Sequence, residues 1–234
     1  MRPPRLGRAN AVVFGGAVVA ALTATAFFFP TKTADPLRAT ALDLIDRLAP
    51  RVGGSDRVLV VDIDRASLTA HGSWPWPRDR LAVLVRRIAA AGPQAIGLDM
   101  VLAGPDRASP STIARILAEE HGASALAASL ASLPDPDAAL AEAISNTPIT
   151  LGAVLSDLAG ESAPAAPVAI EGEPPALAPW RAAGAELPHP ALAAPSVAIV
   201  SLPGDEDGRV RTVPLFVVAG EAPMVGLALE TLRL

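Results

Sequence analysis

A chain of 234 residues with a net charge of −5 and no cysteine excludes several classes of protein at the outset. The negative charge, with no basic patch beyond the first residues, argues against binding to nucleic acid through its phosphates. The lack of cysteine excludes disulfides, thiolate catalysis and cysteine-ligated zinc. The length suits one globular domain with an anchor, and because 51% of residues are apolar but only 3% aromatic, its core must be mainly aliphatic.

The N-terminal part of the chain contains a long apolar run. No charged residue occurs between Ala11 and Phe29, and a helix of about 20 residues spans the hydrocarbon core of a bilayer. The cationic residues before the run are Arg2, Arg5 and Arg8, which by the positive-inside rule hold the N-terminus in the cytoplasm. We therefore predict a single-pass protein of the inner membrane with a cytoplasmic segment at 1–10, a transmembrane helix at 11–30 and an extracytoplasmic domain at 31–234.

A cleaved signal peptide is the alternative interpretation of this run. Ala24-Thr25-Ala26 matches a small-residue cleavage site after a short apolar stretch. Against cleavage, three phenylalanines at 27–29 carry the apolar run beyond that site. We favour the uncleaved anchor, and both interpretations export the rest of the chain.

The first half of the exported part predicts a βαβ unit. A short amphipathic helix over 36–48 links the anchor to the domain, and the β-branched run at 58–64 predicts a buried strand. Apolar residues from Leu81 to Ala89 then repeat at helical spacing until Gly92, and 94–100 predicts a second strand. Strand, helix and strand at this spacing predict a parallel, right-handed crossover.

The second half adds helices, a third strand and a hairpin. The predicted elements are helices over 110–120 and 138–145, a strand over 149–155, a long Ala/Pro-rich surface excursion over about 160–195, an antiparallel hairpin of 197–202 with 210–218, and a last helix from Pro223 to Leu234. The fold class is therefore α/β: one exported domain with a mixed sheet built on the βαβ unit, plus a C-terminal hairpin and helix, behind one transmembrane helix.

Several short motifs resemble one known family. They are Val61-Asp62-Ile63-Asp64, Ser67, Gly72, Trp74-Pro75-Trp76-Pro77-Arg78, Ile96-Gly97-Leu98-Asp99, Asp207-Gly208-Arg209-Val210-Arg211 and Pro214. This set resembles a CHASE domain of the second type, an extracellular sensory module of cyclases and histidine kinases. The Trp-Pro-Trp-Pro-Arg block beside the Asp-x-Asp strand is its most specific part. The family usually has an aromatic residue shortly after the second strand's Asp, where this chain has Val101 and Leu102.

The resemblance implies a function in signalling and no catalytic site. It implies an unknown extracellular signal or small ligand, an association with the membrane, and a cytoplasmic effector that is a nucleotide cyclase, histidine kinase or phosphatase. A homodimer is possible, and no cofactor is implied. The residues that we take as structural or ligand-binding candidates are Asp62, Asp64, Trp74, Trp76, Arg78, Asp99, Asp207 and Arg211.

Three aspartates predict either a cation site or an ion-paired cluster. Asp62 and Asp64 project to one face of the predicted strand, and Asp99 ends its predicted neighbour. Clustered carboxylates suit Mg²⁺ or Ca²⁺. The alternative is that Asp62 or Asp64 pairs with Arg78 and accepts hydrogen bonds from loop amides. We favour this alternative, because buried charges usually occur in pairs.

The same aspartates also suggest a phosphatase of the haloacid dehalogenase type. Asp62 would be its nucleophile and Asp64 its acid/base. Such enzymes also need a lysine to hold the phosphate, and no lysine follows Lys32. We therefore expect that the chain is not an enzyme, since a nucleophile without its electrostatic partner gives little rate enhancement.

The tryptophan block and the acidic loop each allow two interpretations. Trp74 and Trp76 alternate with prolines, which predicts either an aromatic ligand platform or, as we favour, a rigid corner that packs indoles into the core. The stretch 205–208 could begin a calcium loop, but it lacks the later ligands, so we favour a hairpin turn. Three scattered histidines, His71, His121 and His189, support neither a zinc site nor a triad.

Overall fold

The structure is a computed structural model that describes residues 8–28, 35–50, 56–158, 180–202, 204 and 208–234. The chain divides into two compact units, Met1–Asp62 and Ile63–Leu234.

The described residues of the first unit form two helices, at the two places where the sequence predicts them. α1 covers Arg8–Phe28 and α2 covers Asp35–Leu48. Leu44, Ile45 and Leu48 of α2 are exposed. Among the helices in the described ranges, α1 included, none has both the length and the apolar character that crossing a membrane needs.

The strand predicted over residues 58–64 is not formed, and this prediction was wrong. The segment has no regular secondary structure, and Val58, Leu59, Val60 and Val61 are exposed by 72%, 87%, 81% and 53%. The βαβ unit that depended on this strand is therefore not observed. A β-branched run favours a strand only where a neighbouring backbone pairs with it, and local sequence does not supply that neighbour.

The second unit contains six α-helices among its described residues. They are α3 (Arg65–His71), α4 (Arg78–Ala90), α5 (Pro110–His121), α6 (Ser124–Ala131), α7 (Pro136–Ser145) and α8 (Leu227–Arg233). Ser109 and Asp135 cap α5 and α7, and each is followed by a proline in the first turn. These helices, and α4, lie where the sequence predicts them, whereas α3 and α6 were missed.

The strands of the second unit form two mixed sheets. β1 (Ile96–Val101) and β5 (Val197–Ile199) both pair in parallel with β2 (Ile149–Ser156), whose last residues pair antiparallel with β4 (Gly184–Glu186). In the other sheet, β6 (Phe216–Ala219) pairs in parallel with β3 (Trp180–Ala182) and antiparallel with β7 (Ala222–Val225). The predicted α/β class with mixed pairing is thus confirmed.

Two hydrophobic clusters stabilise the second unit. The larger one lies between the helices and the first sheet and includes Trp76, Leu81, Leu98, Leu140 and Leu151. The smaller one lies between the two sheets and includes Ala153, Ile199, Val217 and Met224. As the composition predicts, the buried side chains are mainly aliphatic, and burial of such side chains is the main stabilising term in folding.

α8 packs closely against β1 because β1 carries a glycine at the contact. A Cβ added to Gly97 would lie 2.6 Å from the hydroxyl oxygen of Thr231 and 3.4 Å from a methyl carbon of Leu227. Any larger residue would therefore push α8 away from the sheet.

The C-terminal region differs from the prediction in its strand partners. Residues 197–199 and 216–219 are strands, but they lie in different sheets, and the hairpin is instead β6 with β7 through Gly220, whose φ is +62°. The pattern identified strand-forming residues, but pairing depends on distant parts of the chain. The hairpin prediction was therefore wrong.

Two other boundaries also need correction. The second part of the excursion predicted over about 160–195 contains regular structure, namely β3, β4 and the 3₁₀ turn Pro190–Leu192. Residues 159–179 lie outside the described part of the chain. The last helix begins at Leu227 rather than at Pro223, which lies in β7. Leu232, in this helix, is 84% exposed.

Candidate functional site

The Trp-Pro-Trp-Pro-Arg block connects α3 to α4 and contains one buried and one exposed indole. Trp76 is 8% exposed, belongs to the larger hydrophobic cluster and donates a hydrogen bond of 2.8 Å from Nε1 to the carbonyl of Gly72. Trp74 is 44% exposed. Trp76 therefore fits the rigid corner that we favoured, whereas the exposed ring of Trp74 is free to contact a ligand.

Three side chains surround the indole of Trp76. Its ring meets the imidazole of His71 edge to face at 5.7 Å and lies 6.3 Å from the tilted ring of Trp74. The guanidinium carbon of Arg80 lies 5.8 Å from its centre, within range of a cation–π interaction. The Arg80 guanidinium also donates to the carbonyl of His71, which holds the end of α3 beside the start of α4.

Arg78 begins α4 and is only 7% exposed. Its Nη1 lies 3.1 Å from Oδ1 of Asp137, an ionic contact whose angles do not meet hydrogen-bond geometry. Its Nη2 donates to the carbonyl of Gly104, and its backbone N–H donates to Oδ2 of Asp106 at 2.7 Å. Arg78 thus joins the start of α4 to the loop after β1 and to α7.

Asp106 and Asp137 complete this buried network. Asp106 accepts from the backbone N–H of Ala108 at 2.8 Å, and its own N–H donates to Oδ2 of Asp137 at 3.0 Å. Both carboxylates are at most 8% exposed. Each therefore has charged or N–H partners, as buried carboxylates require.

A cleft of about 360 Å³ opens beside this network. Two segments form its walls: the tryptophan block with Leu81 on one side, and the loop after β1 on the other. The residues lining it are Trp74, Pro75, Trp76, Pro77, Arg78, Leu81, Val101, Leu102, Ala103, Gly104, Pro105, Asp106, Arg107 and Ala108. Because the lining is mainly apolar with a few polar groups, the cleft has the composition of a small-molecule site.

The ion pair expected between Arg78 and Asp62 or Asp64 is replaced by the contact with Asp137. Asp64 instead caps α3, where its Oδ1 accepts from the backbone N–H and the hydroxyl of Ser67, both at 2.8 Å. These hydrogen bonds hold the pKa of Asp64 below its ordinary value. Asp64 therefore accepts from a helix amide and a hydroxyl rather than from the loop amides expected, and Arg78 is not its partner.

Asp62 and Asp99 are exposed, Asp62 in the irregular segment and Asp99 on β1. Within the described ranges, no three His, Asp or Glu side chains are grouped as a metal ion would require. Asp207 lies outside the described residues. Arg211 is half-buried and does not line the cleft.

A second buried carboxylate lies on α8. Glu230 is 1% exposed, accepts a hydrogen bond from the hydroxyl of Ser196 and pairs with Arg233 at 2.6 Å. The Arg233 hydrogen bonds, aided by that of Ser196, lower the pKa of Glu230 despite its burial, and Glu230 raises the pKa of Arg233. This group links α8 to the residue just before β5.

The sequence interpretation missed Asp106, Asp137 and Glu230. A signal for Asp137 was present, because Asp135-Pro136-Asp137 supplies two carboxylates where a helix cap needs only one. The structure assigns the cap to Asp135, whose Oδ1 accepts from the N–H of Asp137, and leaves Asp137 for Arg78. Asp106 lies in a Gly-Pro loop without any pattern that marks it as buried.

Comparison with known families identifies the chain. The CHASE2 domain matches it over residues 17–234. The chain belongs to the CHASE2 family. CHASE2 domains are sensory domains of signalling proteins, so the resemblance found in the sequence is confirmed, and a sensory rather than a catalytic role fits the chain. Neither a search of curated proteins nor one of solved structures finds a match.

Proposed function

We propose that this CHASE2 domain is the extracytoplasmic sensor of a bacterial transmembrane signalling protein and controls a cytoplasmic output module. The observation that carries the proposal is the family match over residues 17–234. The output module would be a nucleotide cyclase, a histidine kinase or a phosphatase. The chain itself would bind a signal and would not catalyse a reaction.

The proposed location rests on charge and hydropathy near the N-terminus. The uncharged run from Ala11 to Phe29 follows three arginines, the distribution typical of an anchor with its N-terminus in the cytoplasm. Residues 31–234 would then lie outside the cytoplasmic membrane, where an environmental signal reaches them without crossing it.

The proposed mechanism is a shift between two arrangements of the domain. The cleft is suited to this because its walls come from separate segments, and a ligand bound between them would contact both. Arg78 connects the same two segments through Asp106 and Gly104. A signal moves such an equilibrium only by its difference in affinity for the two arrangements.

A phosphatase activity has little support. Asp64, the acid/base of that hypothesis, is engaged in capping α3, and no lysine follows Lys32. The purified chain should therefore leave a generic phosphate ester intact in the presence of Mg²⁺. Hydrolysis that is lost in Asp62→Asn would show that the chain is an enzyme after all.

A pair of reporter fusions tests the extracytoplasmic location. Alkaline phosphatase, which is active only outside the cytoplasm, should be active when it is fused after Leu234. A fluorescent protein that matures only in the cytoplasm should remain dark at the same position. The opposite pattern would place the domain in the cytoplasm and refute its role as an external sensor.

A further inference from the structure

We propose that the cleft between the tryptophan block and the loop after β1 binds a small aromatic carboxylate. This inference deepens the sensory function proposed above and rests on it for its biological meaning. Its physical basis is the combination of an exposed indole, an apolar lining and one guanidinium that has no partner among the described residues.

The aromatic part of the ligand is indicated by Trp74. Its ring is 44% exposed and lines the cleft, so a ligand can reach it. The ring of Trp76, which is held in the core, lies 6.3 Å from that of Trp74. A flat apolar ring placed against the indole of Trp74 would remove this exposed surface from water.

The acidic group of the ligand is indicated by one arginine of the cleft. Three charged residues line it: Arg78, Asp106 and Arg107. Arg78 and Asp106 are engaged in the buried network with Asp137. Arg107 is exposed and has no hydrogen bond or ion pair with any described residue. Because this network contains one arginine and two aspartates, Arg107 balances its charge rather than adding a net positive one. What Arg107 offers to a ligand is a guanidinium that can donate two hydrogen bonds to one carboxylate.

The size and rigidity of the cleft restrict the ligand further. A cavity of about 360 Å³ is at the small end of the range for ligand sites, which suits one or two fused rings with one acidic group. The hydrogen bond from Arg78 N–H to Asp106 and the Arg78 contact with Gly104 hold the two walls together. In this arrangement the walls are therefore already placed for binding, so a ligand that contacts both of them would favour it over the second arrangement.

Isothermal titration calorimetry of the full chain with three probes tests the proposal. The probes share one ring system and differ in charge: 1-naphthoate, 1-naphthalenemethanol and 1-naphthylmethylamine. We expect saturable binding of 1-naphthoate, binding of the neutral alcohol weaker by about tenfold, and binding of the cationic amine weaker still. Arg107→Gln should remove most of the difference between the acid and the alcohol.

Two further variants keep the result interpretable. Arg87→Gln removes an exposed arginine of α4 that does not line the cleft, so its affinities should match those of the parent. Trp74→Leu should weaken binding of both the acid and the alcohol. Circular dichroism confirms that each variant is folded.

The proposal is overturned if 1-naphthoate shows no saturable binding, or if Arg107→Gln binds the acid as well as Arg87→Gln does. Either outcome leaves the sensory function standing, since that function is tested by export and by control of an output. Conversely, a cytoplasmic location would refute the sensory function even if the cleft binds naphthoate.

Discussion

Arg78 and Asp137 form a buried ion pair that joins the first residue of α4 to the first turn of α7. The Nη1–Oδ1 distance is 3.1 Å, and the two side chains are 9% and 6% exposed. The same arginine holds the loop after β1 through Asp106 and Gly104. The Arg78 side chain and backbone therefore hold together α4, α7 and the loop after β1. The start of α4 and this loop both line the cleft.

Replacing Arg78 with Ala should strongly destabilise the domain. The change leaves Asp137 buried without its cation, and breaking such a pair typically costs about 3–5 kcal/mol of unfolding free energy. Arg86→Ala is the control, since Arg86 pairs with Glu142 at 3.2 Å but both side chains are exposed, and it should cost about 1 kcal/mol or less. Urea unfolding followed by circular dichroism measures both. Equal losses in the two variants would contradict the importance of the buried network.

The two indoles of the tryptophan block should differ in their contribution to stability. Trp76→Ala empties a buried position and removes the hydrogen bond to Gly72, so it should cost about 3–5 kcal/mol. Trp74→Ala removes a ring that is nearly half exposed and should cost about 1 kcal/mol. Denaturant midpoints of the two variants give the comparison. A Trp76 variant as stable as the parent would mean that its ring is not part of the core.

Glu230 should make stability depend on pH in the acid range. Its pKa is lowered in the folded state by Arg233 and Ser196, so its stabilising effect is complete above the unfolded pKa of about 4.3 and is lost as the pH falls through the folded value. Glu230→Gln should therefore be less stable than the parent at pH 7, by about 1–3 kcal/mol.

The difference between Glu230→Gln and the parent should shrink as the pH falls below about 4. Glu142→Gln is the control, because Glu142 is exposed in its pair with Arg86 and should show little effect at either pH. Unfolding curves from pH 7 to pH 3 provide the test. A difference that is constant over this range would show that the charge of Glu230 makes no contribution.

Local patterns predicted most of the helices because the relevant signals lie within each helix. Ser109 and Asp135, each followed by proline, begin α5 and α7, and apolar residues at helical spacing identify the buried face of α4. The strands at 96–101 and 149–156 were also located by their apolar character. The family was found from the tryptophan block and its neighbouring motifs, and the match over 17–234 confirms it.

The pairing of elements was much harder to predict, because it depends on residues far apart in the chain. The run at 58–61 resembles a buried strand by composition, yet it is exposed and unpaired. Residues 197–199 pair with β2 instead of forming a hairpin with the next strand. Likewise Arg78 pairs with Asp137, which is 59 positions away, and no local pattern distinguishes that partner from Asp64.

Control of an output by this domain can be measured in a chimera. The chain would be joined after Leu234 to the membrane helices and cytoplasmic cyclase of another CHASE2 protein, as parent, Arg78→Ala and Arg86→Ala. We expect Arg78→Ala to change cyclase activity by about fivefold or more at equal protein amounts, because loss of the buried ion pair disturbs the balance between the arrangements of the domain, while Arg86→Ala matches the parent. Equal cyclase activity in all three chimeras, with export verified for each, would contradict a sensory role for the domain.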